Sequence, residues 1–224
     1  MRSEISLLEP DRTDPPEPAA ARAYRALERM IVMLQLVPGE VTTEGALIDM
    51  LSLGRTPVRE AIQRLAWEGL VSVRPRAGLE IAPLHAADWV KVIDARRGCE
   101  AVLARSAARF ATAMTTDRLR AAADEMQAAV TQADVARFLQ ADKTVDEAIA
   151  VCADNPFAVR LVAPLQTHSR RFWFRFQRAG LAQAAAQHVS LISAIVERDE
   201  EAAVMEAERL MALLREQAVA AALR

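Results

Sequence analysis

Glycine is scarce in this chain, with only 7 among 224 residues, while alanine is abundant. That bias favours helix over sheet, because alanine loses least on entering a helix and glycine nearly the most. Cysteine is limited to Cys99 and Cys152, far apart and in no metal-ligand spacing. A disulfide framework is thereby excluded, and both residues read as reduced core side chains of a cytoplasmic protein. No apolar run approaches the roughly 18 residues needed to span a bilayer. Met1 to Pro10 mix Arg2, Glu4 and Glu9 with short apolar stretches, which is not the pattern of a signal peptide. Charge of one sign is also lacking: the net value is −2, which at first argues against a nucleic-acid partner.

What is present is ordinary for a globular protein, with 52% hydrophobic and 26% charged residues. The length suits one large domain or two modest ones. The distribution of charge says more than its sum. Residues 1–18 carry an excess of acid, whereas Arg55, Arg59, Arg64, Arg74 and Arg76 face only Glu60 and Glu68 within 55–76.

Residues 1–18 end in Asp14-Pro15-Pro16-Glu17-Pro18 and read as a disordered tail. A helix is expected over 19–36, with Tyr24, Leu27, Ile31 and Leu34 on one face, broken by Pro38-Gly39. A short helix follows, capped by Thr42 or Thr43 and burying Ala46, Leu47, Met50 and Leu51. A third opens with Thr56 as N-cap and Pro57 at the first helical position. Its inner face is Val58, Ala61, Ile62 and Leu65, and Gly69 ends it. Leu70 to Val73 and Leu79 to Ala82 alternate with period two across a turn at 75–78. Three helices and a β-hairpin over 19–84 predict a winged helix-turn-helix. From 85 to 224 the periodicity is helical throughout, with six starts: Asp88, Thr116, Asp134, Asn155-Pro156, after Gly180, and Asp199. The fold is therefore expected to be mainly α, with a C-terminal bundle of about six helices.

In a helix-turn-helix the third helix enters the major groove and its N-terminal residues meet base edges. The outward positions are Arg55, Arg59 and Gln63. Arginine grips guanine, and glutamine adenine, through two hydrogen bonds. Thr56 stands at a helix N-terminus suited to phosphate, and Arg74 and Arg76 flank the wing's turn. The plain alternative is a solvated face on a helical protein-binding domain.

Pro38-Gly39-Glu40, Arg55-Thr56-Pro57-Val58-Arg59-Glu60-Ala61, Leu65, Glu68-Gly69-Leu70-Val71 and Arg74-Pro75-Arg76-Ala77-Gly78 closely resemble the N-terminal domain of GntR-family regulators over residues 19–84. The resemblance implies DNA contacts by Arg55, Thr56, Arg59 and the wing from Arg76 to Gly78. Two departures stand out: Gly45 lies where such proteins often carry a phosphate-contacting arginine, and Ser52-Leu53-Gly54 replaces the usual Gly-Val-Ser turn. Backbone binding is expected to be somewhat weaker for it.

Four polar residues of the second unit lie on apolar stripes: Arg96, Asp142, Asp146 and His188. Unpaired buried charge costs several kcal/mol, so each needs a partner. Two readings are open. One is an internal ion-pair network of Arg96 with Asp142 or Asp146, and the other a polar cavity that takes a small anion. Arg170-Arg171-Phe172-Trp173-Phe174-Arg175-Phe176 reads as an aromatic face on the bundle with its arginines outside. His85 and His168 read as surface or packing residues.

Arg96 four residues before Glu100, Asp142 followed by Asn155-Pro156, and Gln187-His188 leading to Ala194-Ile195 resemble the FCD ligand-binding domain of the FadR subfamily of GntR regulators. Many FCD domains hold a divalent metal with one aspartate and three histidines beneath an organic-acid ligand. The resemblance matches Asp142 to that aspartate and His188 to one histidine. Asp146 and Leu210 stand at the other two positions, so the set is incomplete. The expectation is a weakly held divalent ion at Asp142, Asp146 and His188, and a carboxylate effector anchored by Arg96. The implied protein is a homodimeric regulator, expected to be a repressor, that binds an inverted-repeat operator in double-stranded DNA and has no membrane partner. A constitutive DNA-binding protein whose helical domain only dimerises is the alternative. A hydrolytic enzyme is disfavoured, since no nucleophile–base pair or complete metal set is present.

Overall fold

The computed structural model describes residues 17–176 and 180–223. The disorder expected for residues 1–18 concerns mainly residues 1–16, which lie outside the described residues. Helix α1 (Ala19–Val32) is followed by β1 (Val41–Thr42), α2 (Glu44–Leu51), α3 (Arg55–Trp67), β2 (Val71–Arg74) and β3 (Gly78–Ile81). Six helices come next: α4 (Ala86–Phe110), α5 (Ala113–Gln132), α6 (Val135–Ala153), α7 (Pro156–Phe176), α8 (Leu181–Val196) and α9 (Glu200–Ala222).

Helix α1 buries Ala23, Tyr24, Leu27 and Ile31 on one stripe and stops four residues earlier than its apolar pattern suggests. Leu34 turns left-handed at φ 56°, and the N–H groups of Gln35 and Leu36 fold back on Met30. Leu36 is therefore buried without being helical. Thr43 caps α2 by accepting from the Ala46 N–H at 3.1 Å. Of the four residues expected to be buried on α2, only Leu47 is; Ala46 and Met50 face solvent and Leu51 is half-buried. With two turns, α2 offers the core little more than one side chain.

Helix α3 begins two residues earlier than expected. Its N-cap is Gly54, which makes no side-chain cap, so Thr56 lies inside the first turn. Pro57 is tolerated at the third position because the first four helical N–H groups lack intrahelical acceptors. Gly69, at φ 76°, follows the C-terminal end.

The wing is a three-stranded antiparallel sheet in the order β1-β3-β2, not a lone hairpin. Strand β1 pairs Val41 with Glu80 and Thr42 with Leu79, and two residues leave no periodicity to read. Gly78 makes that pairing possible: it sits at φ 100°, and a Cβ there would lie 2.5 Å from the Thr42 carbonyl oxygen.

The second unit is helical, as expected. Asp134 and Asp199 cap α6 and α9, accepting from the N–H groups of Arg137 and Ala202, and Asn155 Oδ1 accepts from Ala158 N–H at 3.1 Å. Helix α5 starts at Thr112 rather than Thr116, with a reciprocal cap between Thr112 and Thr115. Helix α4 starts behind His85, leaving Asp88 in its first turn. Helix α4 packs along α7 and α9, and α5 against α6 and α8.

Leu27, Ile31, Leu47, Val58, Ile62, Leu65, Leu70 and Ile81 form one apolar core. Trp89, Ile93, Leu103, Leu119, Met126, Phe138, Trp173 and Ile195 belong to a second, larger one, which Val32 of α1 joins. Around Val32 the contact is polar. Glu28 is buried, accepting from Thr167 Oγ1 at 2.7 Å and pairing with Lys143. His168 Nε2 meets the Glu68 carbonyl at 2.9 Å, and Arg171 donates to the Ala82 carbonyl. Helix α7 thereby holds α1, the end of α3 and the end of β3 together.

Candidate DNA interface and ligand site

Arg55, Arg59 and Gln63 are all exposed on α3, and their four-residue spacing puts them on one face. Arg59 Nε lies 3.2 Å from Glu44 Oε2 of α2, which orients its guanidinium. Behind them, Tyr24 of α1 donates to Glu68 Oε2 at 2.7 Å, and Glu68 Oε1 accepts from Arg64 Nε at 2.9 Å. The Arg64 guanidinium also lies 3.7 Å above the Tyr24 ring. This clamp fixes the roll of α3 on α1. Thr56 is exposed in the first turn of α3. Arg74 pairs with Glu80 across β2 and β3. Arg76 is exposed at the turn, with φ 64°. Gly78 serves the backbone, at the close approach to β1.

Inside the bundle the pairing differs from expectation. Arg96 is buried but joins neither aspartate. Its Nε and Nη2 donate to Glu100 Oε1 at 2.9 and 2.7 Å, and Gln166 adds a third donor at 3.1 Å. The partner of the aspartates is Arg170. One of its nitrogens, Nη1, reaches Asp146 Oδ2 at 2.5 Å and Asp142 Oδ2 at 3.3 Å, while Nη2 donates to Thr167 Oγ1 at 3.3 Å. Arg170 and Arg171 are therefore buried beside Phe172 and Trp173, not outside the bundle. Trp89 of α4 stacks on Phe172, which stacks on Phe176 along α7, but the side of α7 carrying 170 and 171 is interior too.

His188 is buried with both ring nitrogens engaged: Nδ1 faces the Ala184 carbonyl at 2.8 Å and Nε2 faces Asp142 Oδ1 at 2.8 Å. A neutral ring has one N–H, so two acceptors favour the doubly protonated form. Burial lowers the affinity of His188 for a proton, but the Asp142 carboxylate outweighs it and the net shift is upward. For Asp142, burial works upward; hydrogen bonding from His188 and the charges of His188 and Arg170 overcome it, holding the carboxyl below its usual range. Asp146 has no histidine. Burial, then the neighbouring Asp142 charge, push it up to about 7 despite Arg170.

Asp146 binds its proton more tightly folded than unfolded, where a carboxyl titrates near ~4. Ionised Asp146 thus costs stability that accumulates as pH rises from about 4 to about 7. Asp146→Asn is expected to raise the melting temperature at pH 8, by on the order of 1–3 kcal/mol of stability, and to change little near pH 4. Equal effects at both pH values in thermal melts would show that the two carboxylates do not compete for Arg170.

The geometry does not fit the expected divalent ion. A guanidinium nitrogen already reaches both carboxylates, His188 has spent both nitrogens, and Leu210 is buried and apolar. Among the described residues no group of three or more His, Cys, Asp or Glu side chains is placed to hold a metal. Arg96, Asp142, Arg170 and His188 border a cavity of only about 20 Å³, room for about one water. Asp146 and Arg170 also form a wall of a larger cavity, about 310 Å³, between the two units, with Tyr24, Arg25, Glu28 and Arg64 opposite. His85 is exposed, and His168 has the contact at the junction of the units given above. Cys99 and Cys152 are both free. Among the described residues no helix is long and apolar enough to cross a membrane.

Comparison with known proteins places both units. Residues 19–81 match the model of bacterial regulatory proteins of the gntR family, and residues 91–213 match the FCD domain. The HTH-type transcriptional repressor RspR of Escherichia coli K12 is 26% identical over 191 residues, 84% of either chain. An HTH-type regulator from the ttuE–ttuC′ intergenic region of Agrobacterium vitis is 30% identical over 58% of this chain and 78% of its own. Among solved structures, E. coli McbR/YncC superposes with a TM-score of 0.76 at 19% identity, covering 90% of this chain and 99% of that one. A GntR regulator from Rhodococcus sp. RHA1 gives 0.70 at 19% identity, over 90% and 98%. Those two structures share the fold. The FCD match spans more than half of the sequence, and the chain belongs to the gntR family of bacterial transcriptional regulators, in the group that carries a C-terminal FCD domain.

Proposed function

We propose that the chain is a ligand-responsive regulator of the FadR type, reading an inverted-repeat operator through Arg55, Thr56, Arg59 and Gln63, with the wing residues Arg74, Arg76 and Gly78 against the backbone. The observation that carries this is the exposed arginine face on α3, held in place by the Tyr24–Glu68–Arg64 clamp. Arg76→Ala tests the wing's share: a lost phosphate contact weakens all DNA alike and flattens the salt dependence. The protein acts in the cytoplasm, where its operator lies.

A two-fold protein suits such an operator, since one winged helix covers too little DNA for tight specific binding. Light scattering at micromolar concentration is expected to give about twice the 24.6 kDa chain mass. A monomer both free and on DNA would refute it.

The effector reading supported by the site is a small carboxylate bound among Arg96, Asp142, Asp146 and His188. Arginine grips carboxylates through two parallel hydrogen bonds. The small bundle cavity requires side chains to give way, and a ligand at Arg96 would displace Glu100. The same closed pairing favours a second reading, in which the helical unit only dimerises. Thermal-shift screening with hydroxy- and dicarboxylic acids separates the two. A ligand present at 100 times its dissociation constant adds about 2.7 kcal/mol, and Arg96→Ala is expected to abolish that gain. No shift with any acid leaves the second reading, and an equal shift in the variant removes Arg96 as the anchor.

A further inference from the structure

We infer that Arg170 is the resident cation of the bundle site, standing where the FCD resemblance implies a divalent metal, so that the site takes a small carboxylate without any metal cofactor. The inference rests on the proposed effector reading only for the carboxylate.

The positions argue it directly. Asp142 and Asp146 lie one turn apart on α6 and turn their Oδ2 atoms toward one point, and the atom at that point is Arg170 Nη1. The guanidinium is buried and further tied to Thr167, which in turn holds Glu28. It is thus fixed from the bundle side and from the junction side at once. His188 is turned to Asp142 and its own helix backbone, with no nitrogen left for an ion. Leu210, in the last ligand position, supplies apolar packing.

Charge balance points the same way. One guanidinium against two carboxylates leaves room for the partial charge of a histidine. A divalent ion added to the same buried group would leave an excess of positive charge with no carboxylate to meet it, which a desolvated site does not support. Arginine differs from an ion in another respect: it carries donors in a plane, and an incoming carboxylate competes with Asp146 for them rather than completing a coordination sphere. The ligand exchange then happens at the wall between the bundle and the junction cavity, which Asp146 and Arg170 both line.

The test uses the full-length wild type with Arg170→Met and Arg170→Lys. Each is incubated with Mn²⁺ or Zn²⁺, dialysed, analysed for metal and melted with and without added ion. Wild type and Arg170→Lys are expected to retain no stoichiometric metal and to show no ion-dependent change in Tm. Arg170→Met removes the cation held between the two aspartates and leaves their carboxylates free to meet the ion. It is expected to take up close to one ion per chain and to melt higher in its presence. Stoichiometric metal in the wild type overturns the inference. So does an Arg170→Met protein, folded or not, that gains neither metal nor ion-dependent stability. A carboxylate response of the wild type that vanishes in EDTA would also overturn it. A wild type that responds to no carboxylate counts against the proposed effector alone, and the metal result still decides the role of Arg170.

Discussion

Arg55→Ala and Arg59→Ala are each expected to lose about 1–3 kcal/mol of specific DNA binding, a fall of roughly 5- to 150-fold, if the two side chains hold guanine through paired hydrogen bonds. Non-specific binding should fall far less, because it depends on phosphate charge rather than on base edges. The two positions differ in one respect. Arg55 starts the helix and carries no ion pair among the described residues, whereas Arg59 is held by Glu44. Removing Glu44 should therefore loosen Arg59 and affect the base it reads, leaving the Arg55 base untouched. Fluorescence anisotropy with single-base operator variants resolves this. Equal operator affinity for wild type and both arginine variants would remove α3 from the reading role.

The second large effect concerns Arg170→Ala, expected to destabilise the fold by about 3–5 kcal/mol at pH 8, the range for breaking a buried ion pair from one side. The loss arises because Asp142 and Asp146 would face each other with no cation between them. It should shrink at pH 5. Asp146 already binds its proton more readily than an ordinary carboxyl, and a neutral Asp146 no longer repels Asp142. Urea denaturation at the two pH values measures the difference. A loss no greater than that of an exposed arginine such as Arg120→Ala, at both pH values, would mean that the buried network carries little stability.

The fold was legible where periodicity is long. The six helices of the second unit follow from stripes of apolar residues, and Asp134, Asn155 and Asp199 mark their starts because an acid or amide there meets free N–H groups. Errors fell where signals are short or doubled. Thr112 and Thr116 both offer a capping hydroxyl, and only the reciprocal bond with Thr115 decides between them. Strand β1 is visible only through its pairing with β3. In the site, Asp142, Asp146 and His188 were found from their place on apolar stripes, but Arg170 was missed. The run from Arg170 to Phe176 offers aromatic and basic residues in mixed order, and nothing local shows that α7 is buried on two sides. Its partners lie 24 and 28 residues upstream, so only the fold brings them together. Arg96 misled for the opposite reason: its partner, Glu100, sits one turn along its own helix.

The central claim, that this chain is a sequence-specific DNA-binding regulator, is tested most directly by selecting bound fragments from random double-stranded DNA with the purified protein. An inverted repeat should be enriched, with half-sites spaced by about one helical turn or more, and neither Arg55→Ala nor Arg59→Ala should enrich it equally. Recovery of fragments with no common sequence, or the same sequence from wild type and both variants, would contradict it.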